Sequence, residues 1–215
     1  MIAFYHRQVT REALDHRVSQ AALETIIAAN LGQDSLSGLV GHPEFHFDDN
    51  AFTAGQSYLE QQRGFAISAI KNNNDSLAAW KAFGQLTHCV QDFYAHSNYV
   101  SLWLNLHQGL EAVGIDPLDT DILTLPTLRS GHIYYPWELL TFLPVIGKIF
   151  RYLLPRNAHA WMNHDSPASG PLFDYARHAA VKRTGIEFDL VSSQLLDCGG
   201  TGFVSLFTGL TKPVN

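Results

Sequence analysis

Residues 75–106, DSLAAWKAFGQLTHCVQDFYAHSNYVSLWLNL, constrain the fold more than any other stretch of the chain. The run contains no proline, and Asp75 stands where a helix N-cap acceptor is wanted, so it predicts a long helix from Asp75 to about Leu106. On that helix His88, Asp92 and His96 fall four residues apart. Each helical residue turns the chain by about 100°, so the three side chains span roughly 80° of one face over about 12 Å of axis. Asp92 can sit beside either histidine, while the two imidazoles are too far apart to share one small ion directly. The spacing suits two adjacent metal ions with Asp92 bridging them or nearest one of them. Zinc accepts neutral imidazole nitrogen and carboxylate oxygen, and a zinc that keeps one position for water lowers that water's pKa toward 7. The plainer alternative is a polar helix face carrying two histidines and a salt-bridging aspartate. Spacing alone leaves both readings open.

The rest of the chain also reads as helical. Thr10 and Ser19 are candidate N-caps, and SQAALETIIAANLG ends on Asn30 and Gly32, a usual stop. Residues 32–49, rich in Gly, Pro and Asp, read as loop, a helix follows from about 49 to 71, and NNN at 72–74 ends it. Residues 114–136 look irregular, punctuated by Pro117, Pro126, Gly131 and Pro136. The apolar segment 136–155 is helix-like but interrupted by Pro144 and Gly147, a further helix is expected at about 171–184, and the tail 198–215 is rich in Gly, Thr and Phe. No hairpin turns or strand–helix alternation appear, which favours an all-α fold built as a single domain over residues 1–215.

With 46% apolar and 16% charged residues the chain can bury a large core, and its net charge of −6 disfavours nucleic-acid binding by bulk electrostatics. Between residues 148 and 183 basic residues outnumber acidic ones, a local excess that can meet an anionic surface. Cys89 and Cys198 form no CxxC pair and suit a reducing compartment. The first residues lack a signal-peptide pattern, and no run of about 18 apolar residues marks a membrane span. These features predict a cytoplasmic chain. Aromatic and basic residues mixed in 136–155 suit a membrane interface, and an exposed apolar tail at 198–215 would be a binding or insertion surface. Eleven histidines justify a search for further ligands. Candidates are His6, His46 in EFHFDDN beside Asp48 and Asp49, and the pair Asp174 and His178 in FDYARHAAV.

The string FGQLTHCVQDFYAHSNYV, with His88, Gln91, Asp92, Phe93, Tyr94, His96, Ser97 and Asn98, resembles the signature of Het-C-like proteins, a heterokaryon-incompatibility (allorecognition) family similar to zinc-dependent phospholipase C and the P1/S1 nucleases. The likeness is strongest over residues 83–100 and looser over 1–100 and 160–190. It implies an all-α fold of the zinc-dependent phospholipase C/P1 nuclease type holding two or three Zn2+ ions. It makes His6, His46, His88, Asp92 and His96 metal ligands, with Asp92 bridging two ions and His6 sharing its metal with the chain's terminal amine. Asp34 matches the acid that orients or deprotonates the attacking water. Asp174 and His178 match the last ligand pair in reversed order, with His164 as a rival.

The activity so implied is that of a metal-dependent phospholipase C-like hydrolase at membranes, in the role of a Het-C-type cytotoxic or cell-death effector. The alternative is a membrane-disrupting toxin whose metal cluster is structural. Expected partners are a phospholipid membrane, a second copy of the chain and a regulatory protein, with no nucleic acid. Acidic net charge and the apolar segments argue against a nuclease.

Overall fold

A computed structural model describes residues 1–35, 38, 41–142 and 147–210. Among these residues the secondary structure is helical; no strand forms, and only two isolated bridges occur, Ser97 with Ser130 and His132 with Ala158. The all-α expectation holds. The elements used below are α1 (Ala3–Leu14), α2 (Gln20–Gly32), α3 (Pro43–His46), α4 (Phe52–Asn73), α5 (Ser76–His96), α6 (Tyr99–Leu106), α7 (Thr120–Leu123), α8 (Gly147–Leu153), α9 (His159–Met162) and α10 (Leu172–Thr208).

Helix α5 is the axis of the molecule. It packs against α2, α4 and α10, and every residue from Leu86 to His96 is buried. A helix hemmed in on all sides must be apolar all round or must pair its polar groups internally. Between Thr87 and His96 it takes the second course. Its approach to α2 depends on Gly84, where a Cβ would lie 2.3 Å from the Ile26 carbonyl oxygen. Asp75 caps α5 by accepting from the Ala78 N–H at 2.9 Å, and Ser19 caps α2 by accepting from Ala22 at 3.2 Å. Aromatic edge-to-face contacts tie the ends of the core together, among them Phe83 against Phe207 and Phe93 against Tyr94.

Four expectations need correction. Thr10 caps nothing: α1 begins at Ala3, and the Thr10 hydroxyl donates back to the His6 carbonyl at 2.8 Å. The long helix expected to reach Leu106 stops at His96. Ser97 is extended (φ −105°, ψ 167°), pairs as a bridge with Ser130, and Asn98 exchanges hydrogen bonds with Arg129 and donates to the Thr127 carbonyl before α6 begins. The helix expected at about 171–184 continues to Thr208, broken once at Gly200, whose φ of 68° suits glycine. The stretch 198–208 is therefore helical, with Phe207 fully buried against Phe83 and Phe188, and is no exposed apolar tail. Residues 211–215 of that tail, and 143–146 of the apolar segment, lie outside the described residues.

In the remainder of 136–155, Trp137, Ile149, Tyr152 and Leu153 are exposed, while Arg151 and Arg156 stack on the Trp161 ring. Of the other basic residues expected to face an anionic surface, Arg177 pairs with Glu12, Arg183 with Glu187, and Lys182 donates to the Val113 and Ile115 carbonyls. No helix among the described residues is long and apolar enough to cross a membrane.

Candidate metal centre

Asp92 is the hub of a buried His/Asp cluster. It projects from the last turn of α5 and is 1% exposed. Its two oxygens meet different company. Oδ2 lies 2.9 Å from His46 Nδ1 and 3.0 Å from His88 Nε2, and those two nitrogens lie 3.0 Å from each other. Asp34, at the end of α2 and one-third exposed, brings Oδ1 to 3.6 Å from His88 Nε2. Oδ1 of Asp92 lies 2.5 Å from the Met1 α-nitrogen, 3.1 Å from His6 Nε2 and 3.7 Å from His96 Nε2.

The local backbone explains how His46 arrives. Helix α3 ends at Phe47 in the left-handed region (φ 56°), and Asp49 and Asn50 adopt the same region. Three non-glycine residues at positive φ within four positions are uncommon and persist where surroundings over-determine them. Here Asp49 and Asn50 are held by hydrogen bonds to the 130–133 segment: Asp49 Oδ1 accepts from Ile133, and Asn50 exchanges bonds with Ser130. Gly55 supplies the space for the Phe47 ring, which a Cβ there would meet at 2.6 Å.

The proton on His6 follows from its neighbours. The hydroxyls of Thr10 and Thr184 donate to carbonyls in their own helices, so each can only accept from Gln91 Nε2, at 3.0 and 3.2 Å. Gln91 Oε1 must then be the atom facing Asn30 Nδ2 and His6 Nδ1, the latter at 2.7 Å. His6 Nδ1 donates to it, and Nε2 is left with a bare lone pair pointing at the Asp92 carboxylate. Two electron-rich atoms 3.1 Å apart, without hydrogen-bond geometry between them, need positive charge nearby, and the Met1 ammonium at 2.5 Å from the same Asp92 oxygen supplies it. Such an amide that orients a ligating imidazole is the outer partner expected in a metal site. The outward nitrogens of His46 and His88, Nε2 and Nδ1, have no partner among the described residues, so the polar contacts of both rings run to the cluster.

Burial holds His6 below the ordinary imidazole value and pushes His88 down to about 4, in both cases against the pull of Asp92. Both rings are therefore neutral near pH 7, the state in which imidazole ligates a metal. Burial would raise Asp92, but the cationic groups about it, His96 first and then the Met1 amine, hold it well below the usual carboxylate range.

A second group adjoins the first. His96 Nδ1 and His159 Nδ1 lie 3.3 and 3.0 Å from Asp48 Oδ1, and Asp165 Oδ1 lies 3.2 Å from His96 Nε2 and 3.0 Å from the Met1 nitrogen. Here the proton balance reverses. Burial lowers both imidazoles, but Asp92 and Asp48 carry His96 well above the ordinary value, and Asp48 raises His159. The Met1 amine is likewise lifted to about 11, as Asp165 and Asp92 overcome its burial.

Of the residues singled out in the sequence, His6, Asp34, His46, His88, Asp92 and His96 converge. Asp174 and His178 do not: they stand on the outer face of α10, 3.7 Å from each other and beside Glu111 and Val113, with Asp174 60% exposed. His164 lies next to the second group, its N–H bound to the Ala95 carbonyl at 2.7 Å. Sequence reasoning missed Asp48, His159 and Asp165. Asp48 was visible as the neighbour but one of His46; the other two reach the cluster only through tertiary contacts. Buried Glu138, which accepts from the Tyr134 and Ala160 N–H groups, anchors the turn that delivers His159.

The family model that matches the chain is that of the VWA7 N-terminal domain, over residues 4–114. Among curated proteins, von Willebrand factor A domain-containing protein 7 of Rattus norvegicus is 35% identical over 83 residues, and the proteins of that name from Mus musculus and Homo sapiens are each 34% identical over 83 residues. The aligned stretch is 39% of this chain and spans 9% of the length of those relatives. No solved structure matches. These findings overturn the Het-C resemblance. The matched family spans the HxxQDFYxHSN string, and no Het-C or phospholipase C family is matched. The readings built on that resemblance, a phospholipase C-like effector of cell death or allorecognition and a membrane-disrupting toxin, are withdrawn with it.

Proposed function

We propose that this chain, which belongs to the VWA7 N-terminal domain family, is a divalent-metal-binding helical domain with its principal ion held by Asp34, His46, His88 and Asp92. The observation that carries the reading is the triangle formed by His46 Nδ1, His88 Nε2 and Asp92 Oδ2, with edges of 2.9, 3.0 and 3.0 Å. A tetrahedral ion with bonds of about 2.0–2.1 Å to nitrogen and oxygen has ligand–ligand edges of about 3.3 Å. Three buried ligand atoms already stand within a few tenths of an ångström of one face of that tetrahedron. Asp34 faces the same point from the solvent side, which suits a fourth ligand. The base role implied for it rested on the withdrawn resemblance.

Zinc fits the donor set of imidazole and carboxylate. Two or three ions were expected. The geometry supports one at the Oδ2 side of Asp92 most directly. On the Oδ1 side, His6 offers a bare nitrogen, but the Met1 ammonium and His96 already supply positive charge there. A further ion would have to displace those protons. A fold of the zinc-dependent phospholipase C/P1 nuclease type is a further proposal, supported by the all-helical architecture and the buried His/Asp cluster around Asp92. So is the inclusion of residues 1–215 in one domain, supported by a core cluster that runs from Met1 to Phe207.

The test is elemental analysis of the protein purified in zinc-containing buffer and then dialysed, alongside the His88→Ala variant. The expected result is about one zinc per chain in the wild type and none in the variant. Equal metal in both would overturn the proposal.

A further inference from the structure

A groove of about 500 Å3 opens on the side of α5 away from α2, between α4 and α7. Its walls are mostly apolar, with Phe47, Phe52, Phe93, Leu123 and Leu128 prominent, and Thr53, Gln56, Ser57 and the Tyr94 hydroxyl are its uncharged polar groups. One charged side chain, Arg183 of α10, reaches the lining. Small-molecule sites have this character, about 300–1,000 Å3 of mostly apolar surface with a few polar groups that fix orientation.

The charge at Arg183 is not balanced. Glu187 is fully buried, and both its oxygens are taken: Oε1 by Arg183 at 2.9 and 2.7 Å, Oε2 by Arg63 at 3.1 and 2.7 Å. Two guanidinium groups share one carboxylate, and among the described residues no second carboxylate pairs with either. One positive charge is therefore left over in a largely buried place. Arginine keeps its proton and presents five N–H donors in a planar fork; Glu187 takes two of those on Arg183 and the Tyr94 hydroxyl accepts another, so the remaining donors are left for a second carboxylate.

From the apolar walls and the surplus cation we infer that the groove binds the alkyl chain of an amphipathic monocarboxylate, a fatty-acid-like molecule, with its carboxylate directed to Arg183. The tail would lie along Phe52, Phe93, Leu123 and Leu128, and the head would complete the pairing that Glu187 alone leaves unfinished. A neutral chain of the same length would fill the walls but leave the charge unmet. This inference stands apart from the metal reading, since none of the proposed ligands lines the groove.

The test is titration calorimetry of the wild-type chain with dodecanoate, dodecanol and butyrate, each below its aggregation threshold. Dodecanoate should bind at least about tenfold more tightly than dodecanol, the effect of one charge-assisted pair, and butyrate should not bind measurably. Arg183→Met should make dodecanoate and dodecanol bind alike. Gln56→Trp, which places a ring in the groove from an exposed position of α4, should abolish binding of both while leaving the melting temperature unchanged. If Arg183→Met does not fold, the wild-type ratio of acid to alcohol decides the charge and Gln56→Trp decides the place. Equal binding of acid and alcohol by the wild type, no binding of dodecanoate, or undiminished binding by a folded Gln56→Trp protein would each overturn the inference.

Discussion

The two faces of the buried cluster are built from the same residue types and reach opposite proton states. At Asp92 Oδ2 the carboxylate meets His46 and His88, and burial keeps the His88 imidazole neutral, with a value of about 4. At Asp48, His96 is enclosed and His159 largely so, yet the carboxylates around them raise both rings. The difference is one of counting charges. His96 touches Asp48, Asp92 and Asp165, and His159 touches Asp48, whereas the rings at Oδ2 share Asp92 with the partly solvated Asp34. Burial disfavours an imidazolium, nearby carboxylates favour it, and the local ratio of acids to imidazoles decides which prevails. One face thus presents the neutral His88 ring beside Asp92, while the other satisfies itself with protons as a buried ion-pair network.

The strongest way to break this contrast is to remove the carboxylate both faces share. Asp92→Asn leaves His6 and His46 without an anion, His88 with Asp34 alone at 3.6 Å, and the Met1 ammonium without its nearest partner. Loss of one partner in a buried charged network costs about 3–5 kcal/mol, so chemical denaturation should show a fall of that size. Zinc content should fall to background. Chelation of the wild type should reproduce part of the loss, since a ligand at about 1,000 times its Kd stabilises the native state by about 4 kcal/mol. Full zinc content in Asp92→Asn would show that the ion lies elsewhere.

The contrast is sharpened by taking one histidine from each face. His88→Ala should weaken zinc binding by more than the roughly 10–100-fold that accompanies loss of an outer-shell partner. His159→Ala should leave the affinity of the first zinc within a few-fold of wild type. Competition with a chromophoric chelator measures both. Equal losses would mean that a single ion is shared across the cluster.

A smaller effect separates the faces by pH. In the metal-free protein the folded-state value of His159 lies above its unfolded value of about 6.5, because Asp48 holds its proton. The stability it contributes is therefore fully present below about pH 6.5 and is lost as the pH rises through the folded value. His159→Gln should cost about 1.5–3 kcal/mol at pH 5.5, the worth of a hydrogen bond to a charged group, and progressively less in alkaline buffer. Urea titrations across that range give the curve, and a cost that grew with pH would reverse the assignment.

How much of this was legible in the sequence depends on whether the controlling force is local. The helical character, the Ser19 and Asp75 caps and the convergence of His88, Asp92 and His96 on one side of α5 follow from periodicity and capping chemistry. The stop at His96 does not, because Ser97 and Asn98 leave the helix for partners at residues 127–130 that only the tertiary fold supplies. His46 carried a signal in its acidic neighbours, whereas His159 opens the single turn α9 and Asp165 follows it in a loop, and neither becomes visible until Glu138 anchors that turn and the Ala95 carbonyl ties the loop to α5. The family assignment failed for a different reason. A short His/Asp string fixes a few polar residues on one helix face, and so says less about ancestry than the whole stretch of residues 4–114 that the family matches.

The smallest expected effect lies outside the contrast and limits it. Asp174 and His178 have the i, i+4 spacing that made them plausible ligands, yet Asp174 is largely solvated and has only loose contacts, 3.6 Å to Arg177 and 3.7 Å to His178. Exposed pairs of this kind contribute little, because water screens them and two side chains lose freedom to form them. The double change Asp174→Ala, His178→Ala should alter stability by no more than about 0.5 kcal/mol and leave zinc stoichiometry and affinity as in the wild type. A drop in bound zinc here would mean that α10 supplies a ligand from its outer face, and the division of the cluster into a metal-ready face and a protonated one would have to be redrawn around a third group.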